Sequence, residues 1–298
     1  MKKVTISILV LLITALVWYL FLKPFDYRVS FKANTFPGAI NQTIKAWDKK
    51  MQSIKPISQK DLLSLSQKLQ FGDSTLIYDW KITPITDSTS KIKVRIKDLE
   101  HSLMNKIKIP FTETILEKRS KKNLLEFAKT LHNHIKKFKV KVNGVDELES
   151  VYCAYIPIKG PQQKKANGMI INFPYLTGFV EEKKLQKNGT PFVEITHWDI
   201  QNDSITYNFC YPIVYTDSLP KHKEIKYKQI DKRKVIKATY NGNYITSDCA
   251  WYRLLDYAKN NNIEVDSKPI EFFYNNPTLG GNELEWTAEI FLPIIENE

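Results

Sequence analysis

The sequence predicts an α+β protein made of one N-terminal transmembrane helix followed by two folded domains. Three observations support this prediction: an apolar run near the N-terminus, a strand–helix–strands–helix order in the first half, and an internal repeat in the second half. The length of 298 residues fits two domains of the usual size, about 100–200 residues each. We place the membrane anchor at residues 1–24, the first domain at residues 25–142 and the second domain at residues 147–298.

The first element is an apolar run from Val4 to Leu22 that contains no charged residue. A helix of this length spans about 28 Å, close to the hydrocarbon thickness of a bilayer, about 30 Å. The apolar region of a cleaved signal peptide is usually shorter, about 7–15 residues. Trp18, Tyr19 and Lys23 at its end are typical of a membrane–water interface. We therefore expect an uncleaved anchor that contacts the lipid bilayer through residues 4–22, with a cleaved signal peptide as the alternative.

The charges on either side of this run bear on its orientation. Lys2 and Lys3 precede the run, and a short basic tail of this kind favours a cytoplasmic N-terminus. Lys23, Arg28 and Lys32 follow the run and favour the opposite orientation more weakly. We expect a single-pass protein of the cytoplasmic (inner) membrane of a bacterium, with its soluble domains on the outer, periplasmic side.

The first domain begins with an alternating strand at Phe25–Asn34, followed by a segment with apolar residues at helical spacing. Two further segments, DSTLIYDWKITPI and SKIKVRIKDLEHSL, alternate like strands. A long helix ends the domain, and Thr114 with Glu117 can form a capping box at its start. This order resembles the SRPBCC (START/polyketide-cyclase-like) superfamily over Tyr27–Phe138. The resemblance implies a helix-grip fold, in which a curved sheet and a long C-terminal helix enclose an apolar cavity, as a ligand cup or a degenerate scaffold.

The second half of the chain repeats one pattern of elements. Gly189–Val214 and Ser267–Ile295 each contain a proline with an apolar strand, a polar turn, and a strand that closes in Pro-Ile. A helix candidate precedes each copy, MIINFPYLTGFVEEKK in the first and SDCAWYRLLDYAKNN in the second. Two β-α-β-β units are too few for a solenoid. We therefore predict a pseudo-twofold repeat that forms one continuous sheet.

Four segments of the second copy, in order, resemble the GyrI-like, or AraC-type effector-binding, domain: YNGNY, AWYRLLDYAKNNN, KPIEFFYNNP and AEIFLPI. The first copy matches more loosely, and the resemblance covers about Val151–Ile295. It implies small-molecule binding, since family members often form the sensing half of transcription regulators that respond to lipophilic cations, while others hydrolyse small electrophiles. In the family the ligand lies in a cleft between the repeats, with aromatic walls and a glutamate at its floor. That glutamate falls on Glu289 here.

Glu289 is the charged residue in the middle of the apolar strand WTAEIFLPI. Strand alternation puts Ala288 and Ile290 on the core face, and Glu289 and Phe291 on the second face. If the second face lines a cleft, burial of the carboxylate costs free energy unless a positive charge pairs with it. A cationic ligand would supply that charge, and aromatic walls would add about 0.5–2 kcal/mol of cation–π attraction. The alternative is a hydrated strand face on which Glu289 has no ligand.

Six residues form the predicted ligand site, and each has a structural alternative. A tryptophan on a helix is often a core residue, and a tyrosine on a strand often lies at the surface. The predicted site comprises Glu289 as the counter-charge, Phe291, Trp251 and Tyr274 as walls, Asn208 as a polar partner in the first copy, and Tyr155 on the opening strand of that copy.

Other kinds of site are not expected from the sequence. The five histidines lack metal or catalytic spacing, and no nucleophile elbow, P-loop or dinucleotide motif is present, so we expect no metal and no cofactor. The net charge of +12 comes mainly from scattered lysines, which indicate a hydrated surface or contact with anionic lipid rather than nucleic acid. Cys153, Cys210 and Cys249 are too few for a disulfide framework, and either one disulfide or three buried thiols fits the sequence.

The predicted function is therefore non-catalytic binding of an apolar or cationic small molecule by a membrane-anchored protein. A small-molecule hydrolase is the first alternative, with Glu289 activating water and Tyr274 as a hydrogen-bond donor. A scaffold for protein interactions in the cell envelope is the second alternative. The identity of the ligand, the oligomeric state and any ligand of the first domain are left open by the sequence.

Overall fold

The computed structural model describes residues 2–51 and 53–296. The chain divides into two compact units, Met1–Asn133 and His134–Glu298. Each unit contains one antiparallel sheet, so the predicted α+β class is correct. The strand Phe138–Leu148 runs across the boundary expected from the sequence and pairs within the sheet of the second unit.

The first unit begins with helix α1 (Lys2–Val17), which continues as one wider, π-helical turn at Trp18–Leu22. The segment Lys3–Leu22 is long and apolar enough to cross a membrane, by length and composition alone. Its C-terminal end is tied to the rest of the unit, because the Lys106 ammonium donates hydrogen bonds to the backbone carbonyls of Leu20 and Lys23.

A five-stranded sheet in the order β1-β5-β4-β3-β2 and three further helices complete the first unit. The expected capping box is present at the start of the last helix, where the Glu117 carboxylate accepts from the Thr114 amide at 2.9 Å. The elements are β1 (Tyr27–Ala33), α2 (Pro37–Asp48), β2 (Ser58–Asp61), β3 (Ser64–Phe71), β4 (Ser74–Thr86), β5 (Thr89–Asp98), α3 (Ser102–Lys108) and α4 (Ile115–Ile135).

Aromatic side chains fill the core of this unit. Phe127 of α4 packs with its ring centroid 4.7 Å from that of Trp80 on β4 and 5.6 Å from that of Trp47 on α2. All three rings are buried. The periodic apolar residues of α2 and α4 thus pack onto one face of the sheet, as their helical spacing predicts.

The second unit contains an eight-stranded antiparallel sheet in the order β10-β7-β9-β8-β12-β13-β11-β6. In each half of this sheet, one helix follows the strand that opens the half. The elements are β6 (Phe138–Leu148), β7 (Val151–Pro161), α5 (Lys165–Glu182), β8 (Phe192–Asp199), β9 (Ser204–Pro212), β10 (Lys226–Ile230), β11 (Arg233–Gly242), α6 (Cys249–Asn260), β12 (Ile270–Phe273) and β13 (Thr287–Pro293).

The two faces of this sheet have different surroundings. Ile290 of β13 pairs with Glu271 of β12 on the face that contacts the helices, and both side chains are buried. On the opposite face, Phe291 and Phe192 belong to an apolar cluster contributed by the strands themselves. The alternation expected for β13 is therefore present. Cys153, Cys210 and Cys249 are buried free thiols, so the single disulfide left open by the sequence is not formed.

Candidate functional site

A cavity of about 670 Å³ lies in the second unit, beside the first half of α5. Its walls come from α5, the loop before β8, the strands β9 and β12, the turn after β11, and the segment between β12 and β13. The lining residues are Ala166, Met169, Ile170, Phe173, Pro174, Thr190, Pro191, Phe209, Asn243, Tyr244, Ile245, Phe273, Tyr274, Asn275, Asn276, Pro277, Thr278 and Trp286.

Within the part of the chain that the structure describes, no charged side chain lines this cavity. The polar groups in its wall mostly hold the protein together. The Tyr244 hydroxyl donates to the Thr287 carbonyl at 2.8 Å, and the Asn275 side chain accepts from the Thr287 amide at 2.7 Å. Burial raises the pKa of Tyr244 to about 12. The phenol is therefore neutral at ordinary pH, and the cavity presents an uncharged, mainly apolar wall.

Asparagine caps fix the two turns that form one side of the cavity. Asn243 accepts from the Ile245 amide at 3.0 Å and starts the short helical turn Tyr244–Thr246. Asn276 accepts from the Thr278 amide at 3.0 Å and starts the turn Pro277–Leu279. Such caps satisfy the free backbone amides at the start of a turn, so both segments of wall are positioned by local hydrogen bonds.

Another wall is α5, which contains a proline where it lines the cavity. Pro174 lies inside this helix and lacks the amide that would bond to the preceding turn. Ile170 and Phe173 of α5 and Ile245 of the facing turn are exposed apolar side chains that also line the cavity. They form an apolar rim at its opening.

A buried ion pair lies directly behind this wall. Lys165 precedes the lining residue Ala166, and its ammonium contacts both carboxylate oxygens of Glu271, at 2.6 and 2.5 Å. Lys165 is 1% exposed and Glu271 is 0% exposed. Ser247 accepts from Lys165 and donates to Glu271, each at 2.8 Å, and the indole of Trp251 also donates to Glu271.

Aromatic rings surround the ammonium of this pair. The Lys165 Nζ atom lies 4.6 Å from the ring centroid of Trp251 and 6.0 Å from that of Phe273, a residue of the cavity wall. A carboxylate, a hydroxyl and aromatic faces are the groups that bind organic ammonium ions in proteins. In this protein, groups of these kinds surround the ammonium of Lys165, which belongs to the chain itself.

A second buried network adjoins the first. The Gln162 amide donates to the Asp248 carboxylate at 2.6 Å, and the Trp198 indole donates to the Gln162 carbonyl oxygen at 2.7 Å. Burial raises the pKa of Asp248 to about 6, and the nearby Lys165 charge lowers it in part. This carboxyl therefore titrates at a higher pH than an exposed aspartate.

Glu289 lies on the face of the sheet away from the helices, and its side chain is 26% exposed. Its carboxylate pairs with the Lys237 ammonium at 2.8 Å and accepts from the Tyr274 hydroxyl at 2.7 Å. Burial and the Glu289 carboxylate both raise the pKa of Tyr274. The charge in the apolar strand therefore has a partner within the chain.

Of the six residues predicted for the site, Tyr274 lines the cavity. Glu289 is not among the described lining residues, and its carboxylate accepts a hydrogen bond from the Tyr274 hydroxyl. Trp251 is buried beside Glu271, behind the wall. Phe291 and Tyr155 lie in the apolar cluster on the opposite face of the sheet. The Asn208 amide donates to the Glu194 carboxylate at 2.7 Å.

The pair of Lys165 and Glu271 was not predicted from the sequence, and neither were Asn243 and Tyr244 of the cavity wall. A signal for Glu271 was present, because it interrupts the apolar strand IEFF as Glu289 interrupts WTAEIFLPI. No local signal pointed to Lys165, which is 106 residues from its partner. Asn243 and Tyr244 stand in the YNGNY segment that supported the family resemblance.

Comparison with known proteins identifies residues 147–295 as a GyrI-like small molecule binding domain, which is half of the chain. No curated protein sequence matches the chain significantly. Solved structures that are similar to it include the C-terminal domain of EcmrR, at 14% identity and a TM-score of 0.45. That comparison covers 54% of this chain and 99% of the other.

Two further structures show weaker similarity. SAV2435 bound to tetraphenylphosphonium is 12% identical with a TM-score of 0.36, over 52% of this chain and 94% of the other. A hydrolase from Listeria innocua is 8% identical with a TM-score of 0.34, over 51% of this chain and 92% of the other. At these TM-scores the similarities indicate neither a ligand nor an activity. The family match alone carries the assignment: the chain belongs to the GyrI-like family, with a small-molecule binding domain at residues 147–295.

Proposed function

We propose that this protein binds a neutral, mainly apolar small molecule in the cavity beside α5. The observation that carries the proposal is the absence of a charged side chain from the described lining of a 670 Å³ cavity in a small-molecule binding domain. Ligand pockets commonly measure about 300–1,000 Å³ and combine apolar walls with a few polar groups. The polar side chains in this lining include Thr190, Asn275 and Asn276.

The electrostatics of the domain favour a neutral ligand over a cation. An organic cation loses hydration when it enters an apolar cavity, and a buried negative charge must compensate for that loss. Glu271, the buried carboxylate next to the wall, is already paired with Lys165. Glu289, the carboxylate expected to serve as counter-charge, is paired with Lys237. We therefore assign the cavity to uncharged ligands and not to lipophilic cations.

The test compares two ligands of one shape, neutral 1,1,1-triphenylethane and cationic methyltriphenylphosphonium. The full chain is reconstituted in lipid nanodiscs, binding is measured by equilibrium dialysis, and empty discs correct for partition into lipid. Thr190→Trp fills the cavity from the loop before β8, and Thr216→Trp makes the same change on an exposed loop of the same unit.

We expect the neutral compound to bind the wild type and Thr216→Trp, and to lose most of its binding in Thr190→Trp. The cation should bind at least about tenfold more weakly, a difference of about 1.4 kcal/mol. Tighter binding of the cation than of the neutral compound would contradict the proposal that the ligand is uncharged. Binding that Thr190→Trp leaves unchanged would place the ligand outside this cavity.

We also propose that the Lys3–Leu22 helix is an uncleaved anchor in the inner membrane, with the soluble units on the periplasmic side. Its length and its interfacial Trp18 and Tyr19 support this arrangement. A fractionation experiment with protease protection of intact spheroplasts tests it. Protease should remove the soluble part without lysis. Protection until lysis would contradict the orientation, and recovery in the soluble fraction would contradict the anchor.

We also propose that the two halves of the second sheet are related by a pseudo-twofold axis and that the first unit is related to the SRPBCC superfamily. The strand order β7-β9-β8 mirrors β11-β13-β12 across the sheet, which supports a pseudo-twofold relation between the two halves. The sheet and long α4 helix of the first unit support its kinship with the SRPBCC superfamily. Because Trp47, Trp80 and Phe127 fill that core, we propose that this unit is a scaffold and not a ligand cup.

A hydrolase is the second candidate, and one contact favours it. The Tyr274 hydroxyl lies 2.7 Å from the Glu289 carboxylate, the distance that an acid–base pair requires. Release of nitrophenol from a small nitrophenyl ester tests this activity. Hydrolysis that Glu289→Gln and Tyr274→Phe both abolish would establish it, and rates equal to those of empty nanodiscs would exclude it for this substrate class.

A further inference from the structure

Exposed apolar side chains are concentrated in one segment of the first unit. Outside the apolar N-terminal helix, nine large hydrophobic residues described in this unit are exposed, and six of them lie between residues 99 and 115. Phe111 is 85% exposed and Ile115 is 74% exposed. A contiguous exposed apolar patch usually marks a site of contact with a partner or a membrane. We call this segment the α3 patch; its members are Leu99, Leu103, Met104, Ile107, Phe111 and Ile115.

Hydrogen bonds hold α3 against the end of the apolar helix. The Lys106 ammonium donates to the Lys23 carbonyl at 2.6 Å and to the Leu20 carbonyl at 3.2 Å. The Tyr19 hydroxyl donates to the Lys106 carbonyl at 3.1 Å. The last carbonyls of a helix have no partner within it, so the buried Lys106 completes the C-terminal end of the apolar helix. The position of α3 along that helix is therefore fixed.

This attachment sets the depth of the patch relative to a bilayer. Trp18, Tyr19 and Lys23 mark the level at which a spanning helix would leave the hydrocarbon region. Because α3 bonds to residues 19, 20 and 23, its exposed side chains lie near the same level. Amphipathic segments at this level bury apolar side chains about 5–10 Å into the boundary between head groups and acyl chains.

The end of the segment is fixed to α3 and contains one exposed lysine. Leu103 and Ile107 flank Lys106 on α3, and two turn hydrogen bonds join Phe111 and Thr112 directly to the end of the helix at Lys108. Lys108 is exposed and carries a positive charge next to the apolar side chains. Basic residues near the surface are attracted to anionic lipid head groups.

We infer that the α3 patch is a second membrane contact, which inserts into the interfacial layer where the apolar helix leaves the bilayer. The inference rests on the proposed membrane anchor. The occupant of the patch is the lipid of the same leaflet. The contact fixes the orientation of the first unit against the membrane, because one helix alone leaves rotation and tilt free.

Site-directed spin labels measure this contact in the full chain. Cysteine is introduced at Phe111, at Ile85 near the end of β4, or at Val10 in the apolar helix, and Ile85 and Val10 are both exposed apolar residues. Cys153, Cys210 and Cys249 are buried, so the introduced thiol is the accessible one among the described residues. The chain is reconstituted in vesicles of equal phosphatidylcholine and phosphatidylglycerol, and collisions with oxygen and with a nickel chelate are compared.

Oxygen concentrates in the bilayer and the nickel chelate stays in water. We expect the oxygen-to-nickel ratio at position 111 to exceed the ratio at position 85 several-fold and to stay below the ratio at position 10, because the patch lies in the interfacial layer and Val10 in the interior of the bilayer. A bilayer signal at position 10 with a water signal at position 111 overturns the inference and leaves the anchor intact. Water signals at both positions overturn the anchor as well.

A patch covered by protein instead of lipid would give a different signal. A label at position 111 that neither reagent reaches would be covered by protein, and that result also overturns the inference. A second variant guards against a local effect of the label. Ile107→Asp with Ile115→Asp should lower the ratio at position 111 several-fold and leave the ratio at position 10 unchanged.

Discussion

The ammonium of Lys165 and the carboxylate of Glu271 form a fully buried ion pair that joins the first turn of α5 to β12. Helix α5 forms one wall of the cavity, and the residues after β12 form another. The pair therefore holds two sides of the proposed ligand site together. It also occupies, with a group of the chain itself, the place beside Trp251 where an organic ammonium ion would be most stable.

Removal of Lys165 should strongly destabilise the second unit. Lys165→Met keeps the side-chain length and leaves the Glu271 carboxylate buried without a positive partner. Breaking a buried pair in this way costs about 3–5 kcal/mol. The measurement is urea unfolding of the full chain in nanodiscs, followed by tryptophan fluorescence.

Two variants control this measurement. Lys164→Met removes the neighbouring exposed lysine and should change the free energy of unfolding by less than about 0.5 kcal/mol. Adding Glu271→Gln to Lys165→Met removes the unpaired charge and should recover most of the loss. Equal stability of Lys165→Met and wild type would show that the pair is not formed.

The ammonium site should also accept an external cation once it is vacated. Lys165→Ala leaves a space between Glu271, Ser247 and Trp251 that matches a short alkylammonium ion. We expect butylammonium to raise the melting temperature of Lys165→Ala by several degrees and to leave the wild type unchanged. Butanol, which lacks the charge, is the matched control. An equal response of variant and wild type would mean that the ion acts on the surface.

The sequence predicted what depends on local periodicity. The alternation in WTAEIFLPI placed Ile290 on the core face and Glu289 on the opposite face, and Thr114 with Glu117 formed the expected capping box. Both patterns are set by residues within a few positions of each other. The partners of Glu289 could not be predicted in this way, because Lys237 is brought to it by the pairing of β11 with β13.

The location of the cavity could not be predicted from the sequence for a related reason. Its walls combine α5, the Asn243 and Asn276 turns, and Trp286, which are distant in sequence and meet only in the folded sheet. Of the aromatic residues in its lining, the sequence identified Tyr274 alone, and it did not indicate the side of the sheet on which the cavity lies. The site was therefore expected around Glu289, on the face opposite the buried Glu271.

Close packing of α5 on the sheet makes Gly168 a sensitive position. A β-carbon on Gly168 would collide with the hydroxyl of Tyr207, which donates to the Lys165 carbonyl at 3.2 Å. We expect Gly168→Ala to lower the free energy of unfolding by about 1–3 kcal/mol through overpacking. Thermal unfolding of the full chain measures this effect.

Gly178 on the same helix provides the matched control. A β-carbon on Gly178 meets no described atom within 4 Å, and the residue is exposed. Gly178→Ala should raise the free energy of unfolding by about 0.5–1 kcal/mol, because alanine favours a helix. A loss of stability in both variants would point to the helix itself and not to its contact with Tyr207.

Neutralising Glu289 distinguishes the cavity from the site expected on the opposite face. In Glu289→Gln the Lys237 ion pair is lost, but both side chains are partly exposed, so the cost should stay within about 1 kcal/mol. If the ligand is neutral and lies beside α5, its dissociation constant should change by less than about twofold, or 0.4 kcal/mol. Equilibrium dialysis of triphenylethane measures it. A loss comparable to that of Thr190→Trp would place Glu289 in the binding site.

Asp248 should make the stability of the second unit depend on pH in a defined direction. Burial raises its pKa from 3.8 in the unfolded chain to about 6 in the folded protein. In that interval the folded state binds more protons than the unfolded state, so the stabilising contribution is fully present below pH 3.8 and is lost as the pH rises to about 6.

Asp248→Asn isolates this effect, because asparagine keeps an oxygen that can accept from Gln162 and does not titrate. The free energy of unfolding of the variant, minus that of the wild type, should therefore increase between pH 4 and 7 by up to about 3 kcal/mol, the equivalent of the shift in pKa. Urea titrations across this range measure it. A flat difference for Asp248→Asn would mean that this carboxyl is hydrated in the folded protein and titrates as it does in the unfolded chain.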